Sequence, residues 1–241
     1  IEKIIHDHSL DLKDINIIDT RKPKDPEMAQ RYAELFFEKR KRKGIVHTDA
    51  LKMIRKRNYF GAMMVETGDA DALISGLTRN YPETIRPGLE IIGRQEGVHR
   101  VAGMYILLTK KGPLFFADTT VNVNPTVDEL VEITELTARG VERFNIKPRI
   151  AMATYSSFGS AKGDDAVKMR NATAILQKKH PDWIIEGEMQ AHLAFNMELV
   201  QENYPFSKIS GEPANTIIFP NLSASNIAYN LMKETGDIEY I

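Results

Sequence analysis

From Gly97 to the end of the chain, strand-like apolar runs take turns with segments whose apolar residues recur every three or four positions. Residues 101–109 and 114–122 are β-rich and are separated by Lys110-Lys-Gly-Pro113, a hairpin signal. Thr126 and Glu129 form a capping box ahead of Leu130, Ile133, Leu136, Val141 and Phe144, so a long amphipathic helix begins there. A strand at 149–155, a helix at 164–179, a strand at 216–219 and a helix at 225–234 continue the alternation, and 236–241 has the character of an incoming strand. Such alternation buries both faces of a sheet under helices and predicts an α/β layered fold.

Before Gly97 the signals are mostly helical. Ala29, Tyr32, Ala33, Phe36 and Phe37 follow Pro26 at helical spacing, and the pattern ends in the basic run 39–43 and Gly44. Proline at the start, cations in the last turn and glycine past the end are the expected punctuation. A short β-like run is expected at 16–19, a helix from Thr48 through Leu51 and Ile54 toward Asn58, a buried strand at 70–76 and a helix at 87–92. The best boundary lies at 93–97, giving part of a first α/β domain at 1–97 and a second, hairpin-bearing α/β domain at 98–241.

Composition narrows the function. Apolar residues make up 42% and charged residues 27%, which predicts a soluble globular protein. Lys plus Arg number 32 against 33 for Asp plus Glu, so no global field draws the chain to nucleic acid or to a membrane surface. Without cysteine there is no thiolate chemistry and no Cys-based metal site. No apolar run reaches the roughly 18 residues of a membrane span and the first residues lack the order of a signal peptide, so a cytoplasmic location is expected. Neither G-x-G-x-x-G nor G-x-x-x-x-G-K-[ST] occurs, which argues against dinucleotide binding of the usual Rossmann kind. The first residue is not Met, and the chain reads as an excised part of something longer.

Several positions carry candidate chemistry. Ser75, Thr78, Arg79 and Arg86 gather hydroxyls and guanidinium groups just past the expected strand at 70–76, an arrangement suited to an anion. Arg40, in the single basic run considered, belongs with them if it points their way, although a basic helix end is the plainer reading of that run. Ser156 and Ser160 lie in Tyr155-Ser-Ser-Phe-Gly-Ser160, between a strand and a helix, where hydroxyls and backbone N–H groups can hold phosphate; a polar turn is the rival. Asp118 is a strand-end residue that orients a ligand or simply turns the backbone. Glu188 and His192 stand four apart, as ligands on one helix face would, but no third ligand follows at a recognisable spacing. His6 and His8 are expected in solvent.

The ordered motifs RPGLEII (86–92), FADTTVNVNPTVDELVEI (116–133), RIAMATYSSFGS (149–160), EGEMQAHLAFN (186–196) and ANTIIFPNLSASNIAYNLM (214–232) resemble the phosphate acetyltransferase and butyryltransferase family over nearly the whole chain. Within it, RNYFGAMMVETGDADALISGLT (57–78), 97–103 and Lys168-Met-Arg170 are most similar to the C-terminal phosphotransacetylase-like domain of bacterial NADP-dependent malic enzymes. The resemblance implies a two-domain, three-layer α/β/α fold like that of isocitrate dehydrogenases, here lacking its N- and C-terminal parts. It further implies a cleft for acetyl-CoA and phosphate, and a homo-oligomer, at least a dimer. By motif position the anion-holding arginines match Arg40 and Arg86. Where active members read H-S-T this chain has Arg79-Asn80-Tyr81, and the family's Ser-Arg pair and following Asp would lie past Ile241. The implied function is a regulatory or oligomerisation domain that senses acetyl-CoA, inactive on its own. Malate decarboxylation, with its NADP and Mg or Mn, would belong to a preceding domain; the alternative is an active phosphate acetyltransferase.

Overall fold

The computed structural model describes residues 2–12, 15–21, 26–76, 79–236 and 239–240. They form two compact units, Ile1–Gln95 and Glu96–Ile241.

Unit 1 contains α1 (Glu2–Asp7), α2 (Pro26–Arg40), α3 (His47–Ile54), α4 (Arg57–Thr67) and α5 (Tyr81–Ile91). Helix α2 runs on through a 3-10 turn, Lys41–Lys43, and stops at Gly44, whose φ of 85° is open to glycine at little cost. The core is aromatic: Tyr32 meets Phe60 edge-on at 5.0 Å and Phe36 meets Tyr59 at 5.5 Å, with Ala33, Ala50, Ile54, Met63 and Ile91 buried around them. The helix expected to run toward Asn58 is instead two helices. The backbone turns extended at Lys56 (φ −81°, ψ 130°) and α4 starts afresh at Arg57.

Two β readings in this unit are corrected. Residues 16–19 form no strand, although Ile18 packs on the helical core. Residues 70–76 are not a buried strand: 71–76 are exposed, Ile74 is 98% exposed, and no backbone hydrogen bond joins 71–75 to any described residue. Their apolar pattern suits a strand, but a strand needs an edge to pair with, and unit 1 has none among its described residues.

Unit 2 is the layered α/β body. Strands β1 (Met104–Thr109) and β2 (Gly112–Ala117) form the expected hairpin, followed by α6 (Val127–Glu142), β3 (Arg149–Ala153), α7 (Asp164–Lys179) and β4 (Ile184–Met189). Then come α8 (Met197–Asn203), β5 (Thr216–Ile218), α9 (Leu222–Thr235) and β6 (Glu239–Tyr240). The sheet order is β4-β3-β5-β2-β1-β6, with β4, β3, β5 and β2 parallel and β1 antiparallel to both its neighbours. Alternate residues of β3 serve opposite faces: Ile150 and Met152 pack with Leu130, Ile133 and Met169, while Ala151 and Ala153 pack with Val200, Ile209 and Tyr229. Helices α6 and α7 thus cover one face and α8 and α9 the other, a three-layer α/β/α sandwich. Four parallel strands end on one edge of this sheet, which places the turns after β2, β3, β4 and β5 together.

The capping box forms as the sequence reads. Glu129 N–H donates to Thr126 Oγ1 at 3.4 Å and Thr126 N–H donates to Glu129 Oε2 at 2.9 Å. Thr126→Ala removes one of these bonds and should lower the stability of unit 2 by about 1 kcal/mol, read from urea unfolding.

Candidate functional site

Five of the seven residues singled out as anion-binding fall in unit 1; of these, Thr78 lies outside the described residues. Arg40 is the last residue of α2, and its Nη2 lies 3.9 Å from Glu90 Oε1 on α5. Its Nε is buried with no hydrogen-bond partner among the described residues. Glu90 Oε2 in turn accepts a 2.6 Å hydrogen bond from the hydroxyl of Tyr59, a buried residue of α4. Arg86 stands one helical turn before Glu90 on α5.

Electrostatics ties the four together. Burial pushes the Tyr59 phenol well above its ordinary 10.0; its hydrogen bond to Glu90 and that carboxylate's charge add to the effect, while Arg86 and Arg40 pull against it. Two guanidinium groups therefore act on one tyrosine–glutamate pair. Glu90 compensates part of the charge of Arg40, while Arg86 has no carboxylate within 4.0 Å among the described residues and keeps its charge available to an anion.

The other predicted residues of unit 1 gather one step away. Ser75 Oγ donates to Asn58 Oδ1 at 2.8 Å, and Asn58 Nδ2 donates to the carbonyl of Glu83 at 3.1 Å. Arg79 lies 3.9 Å from Glu83, and Asn80 caps α5 by accepting from Glu83 N–H. Asn58, Tyr59, Arg79 and Arg86 line a pocket of about 1130 Å³ within this unit. Arg40 is thus joined to Tyr59 through Glu90, Arg86 lines the same pocket as Tyr59, and Ser75 and Arg79 are linked through Asn58 and Glu83.

Ser156 and Ser160 belong to unit 2, in the turn after β3. Ser156 is fully buried and donates to Glu188 Oε1 at 2.8 Å, and the same oxygen accepts from Gly159 N–H at 2.8 Å. Ser160 Oγ accepts from Ser157 N–H, and Ala161 N–H donates to Ser156 Oγ. Phe158 N–H reaches the Glu188 carbonyl and Ser160 N–H the Ser157 carbonyl. Every backbone donor from Ser157 to Ala161 is thereby committed inside the turn.

Glu188 organises that turn. It sits on β4, so it shares no helix face with His192, which is exposed beyond the strand end, and the paired-ligand reading gives way to a buried ion pair. Arg170 on α7 clasps the carboxylate with Nε at 3.0 Å and Nη2 at 2.7 Å. Burial alone would raise the Glu188 pKa; the Arg170, Gly159 and Ser156 hydrogen bonds outweigh it and hold the group below its ordinary 4.5. Asp118 is likewise committed, accepting from the N–H groups of Thr120, Val121 and Asn122 as a backbone turn.

With this geometry in view, comparison with known proteins is decisive. The whole chain, residues 1–241, matches the family described as phosphate acetyl/butaryl transferase. The chain belongs to that family. It is 36% identical over 232 residues to the phosphate acetyltransferase of Clostridium acetobutylicum, covering 93% of this chain and 68% of that protein. It is also 36% identical over 210 residues to the NADP-dependent malic enzyme of Escherichia coli, covering 87% of this chain and 27% of that protein. The EutD phosphotransacetylase structure from Staphylococcus aureus superimposes with a TM-score of 0.85 at 30% identity, spanning 100% of this chain and 72% of that one. This phosphate acetyl/butaryl transferase chain thus spans a variable share of its relatives, and among its described residues no helix is long and apolar enough to cross a membrane.

Sequence reasoning missed Tyr59, Glu90 and Asn58 as members of the site. Glu90 carried a signal, since it falls inside the helix expected at 87–92 and lies four residues after Arg86, just before that helix.

The Glu188 clasp gives a measurable acid limb. A carboxylate held below 4.5 contributes stability that is complete above that value and is lost as pH falls through its lower folded value. Urea unfolding of unit 2 should weaken between about pH 5 and pH 3, and Glu188→Gln should flatten that slope. Removing Arg170 leaves the Glu188 carboxylate buried without its counter-charge, so Arg170→Ala should lower the urea midpoint of unit 2 at neutral pH and shrink that loss as pH falls.

Proposed function

We propose that this chain carries the anion-holding part of a phosphate acetyltransferase, which exchanges an acetyl group between CoA and phosphate. The observation that carries the reading is the chain Arg40–Glu90–Tyr59 ending at a pocket of about 1130 Å³ that Tyr59 and Arg86 line together. In the transfer a phosphate oxygen attacks the thioester carbonyl, the C–S bond breaks, and the CoA thiolate leaves and takes up a proton. Charge builds on oxygen and then on sulfur. Fixed guanidinium groups favour the phosphate by two-point hydrogen bonding and stabilise the charge that develops. In this proposal Arg40 and Arg86 hold anionic oxygens, Glu90 pairs with Arg40, Arg79 lines the same pocket, and Ser75 reaches that wall through its hydrogen bond to Asn58. Ser156 and Ser160 shape their turn in unit 2.

A second reading, a domain that senses acetyl-CoA within an NADP-dependent malic enzyme, draws support from Arg79 and Asn80. Asn80 caps α5 and Arg79 faces Glu83, so both serve the helix where the resemblance leads one to expect small hydroxyls near the anion. Here NADP and its metal would be held by sequence outside this chain. Acetyl phosphate formed from acetyl-CoA and phosphate by the full-length protein supports the first reading; malate-dependent NADPH formation altered by acetyl-CoA, without acetyl phosphate, supports the second.

Both readings place Arg86 against the ligand. Arg86→Ala in the full-length protein should weaken acetyl-CoA or phosphate binding by about 1–3 kcal/mol in isothermal titration. An unchanged isotherm would assign Arg86 to structure instead.

A further inference from the structure

The segment between α4 and α5 is built like a strand although it pairs with nothing among the described residues. Leu73 and Ser75, two residues apart, both turn to α4: a Cβ at Gly61 would stand 2.7 Å from Leu73 Cδ1, and Ser75 Oγ donates to Asn58 Oδ1 at 2.8 Å. Asn58 and Gly61 are three apart on that helix and share one face. Ile74, between Leu73 and Ser75, points away and is 98% exposed. A side-chain period of two, with one face resting on a helix, is how a sheet strand lies on its covering layer. Glycine is disfavoured inside a helix, and at Gly61 the close passage of Leu73 accounts for it.

That arrangement lacks a partner on two sides. The peptide groups of 71–75 make no backbone hydrogen bond to any described residue, and Ile74 has no covering layer. Turns are built from Gly, Pro, Asn, Asp and Ser that bond locally, whereas an extended aliphatic run with open peptide groups is a sheet edge. Residues 16–19, the other β-like run of unit 1, also form no strand. Strand-like runs lying among helices without a sheet are what an α/β sandwich leaves when its remaining strands come from elsewhere.

The relatives point to the source. The Staphylococcus aureus structure matches all of this chain, yet the chain spans 72% of it, so more than a quarter of that protein has no counterpart among residues 1–241. A segment of the same polypeptide meets the edge at a high effective concentration, which a separate partner does not. We infer that residues 71–75 are a docking edge for an extended aliphatic segment of the full-length polypeptide outside residues 1–241, which pairs with their peptide groups and brings Ile74 under an apolar layer. Because Ser75 holds Asn58, which lines the pocket, the docked segment also fixes one wall of the candidate site. The inference goes beyond both readings of the function and depends on neither.

Hydrogen exchange read by mass spectrometry on the full-length protein, at two protein concentrations, provides the test. Peptides spanning 71–75 should exchange about tenfold or more below the unprotected rate, equally at both concentrations. In the same protein Ile74→Asp should lower the melting temperature by about 4 °C or more, and Ile74→Ala by less. A side chain that stays 98% exposed would leave both variants at the wild-type value. Exchange at the unprotected rate, or wild-type melting in both variants, would mean an open loop and overturn the inference. Protection that fades on dilution would assign the edge to a second copy and overturn it equally. If Ile74→Asp does not accumulate as folded protein, wild-type exchange and Ile74→Ala decide.

Discussion

A carboxylate with no exposed surface has to be answered by its surroundings, and in this protein Glu188 dictates how the third and fourth strands of the sheet are finished. Left alone, a buried charge would cost several kcal/mol. Arg170 from α7, Ser156 and Gly159 from the turn after β3 all close on it, so one group joins three consecutive elements of the βαβα order. The turn therefore spends its hydroxyls and N–H groups on the fold. A serine-rich stretch between strand and helix can look like a phosphate cradle in sequence and be the opposite in space, with its donors turned inward.

Unit 1 distributes charge differently. Glu90 is shared between a phenol and a guanidinium, so it answers only part of the charge that Arg40 and Arg86 bring. The Tyr59 ring is also part of the aromatic core through Phe36, which couples the placement of the charged cluster to apolar packing. Arg40 is drawn to Glu90 at 3.9 Å while its buried Nε has no partner among the described residues, so its charge is only partly answered, the condition under which a site binds an anion rather than folding its cations into internal salt bridges.

What the sequence made legible was local. The capping box, the hairpin and the span of α7 depend on residues a few positions apart, and each stands where the pattern puts it. Strand β4 was illegible because two of its six residues, Glu186 and Glu188, are buried glutamates that break the apolar signature. Helix α4 was hidden because Tyr59, Phe60, Ala62 and Met63 leave little polar face from which to read a period. In the site, Arg40 and Arg86 could be read from motifs, but Tyr59 and Glu90 are 31 residues apart and only folding introduces them.

The exposed stretch between α4 and α5 bears on how the protein behaves in quantity. Residues 71–75 present apolar side chains together with peptide groups that make no backbone hydrogen bond to any described residue, with Ile74 almost wholly in water. A segment of that kind is a template for cross-β pairing with a neighbouring chain. Asp71 on one side and Arg79 on the other act as gatekeepers, and their influence is electrostatic. Salt that screens these charges therefore weakens the electrostatic restraint on pairing through this stretch.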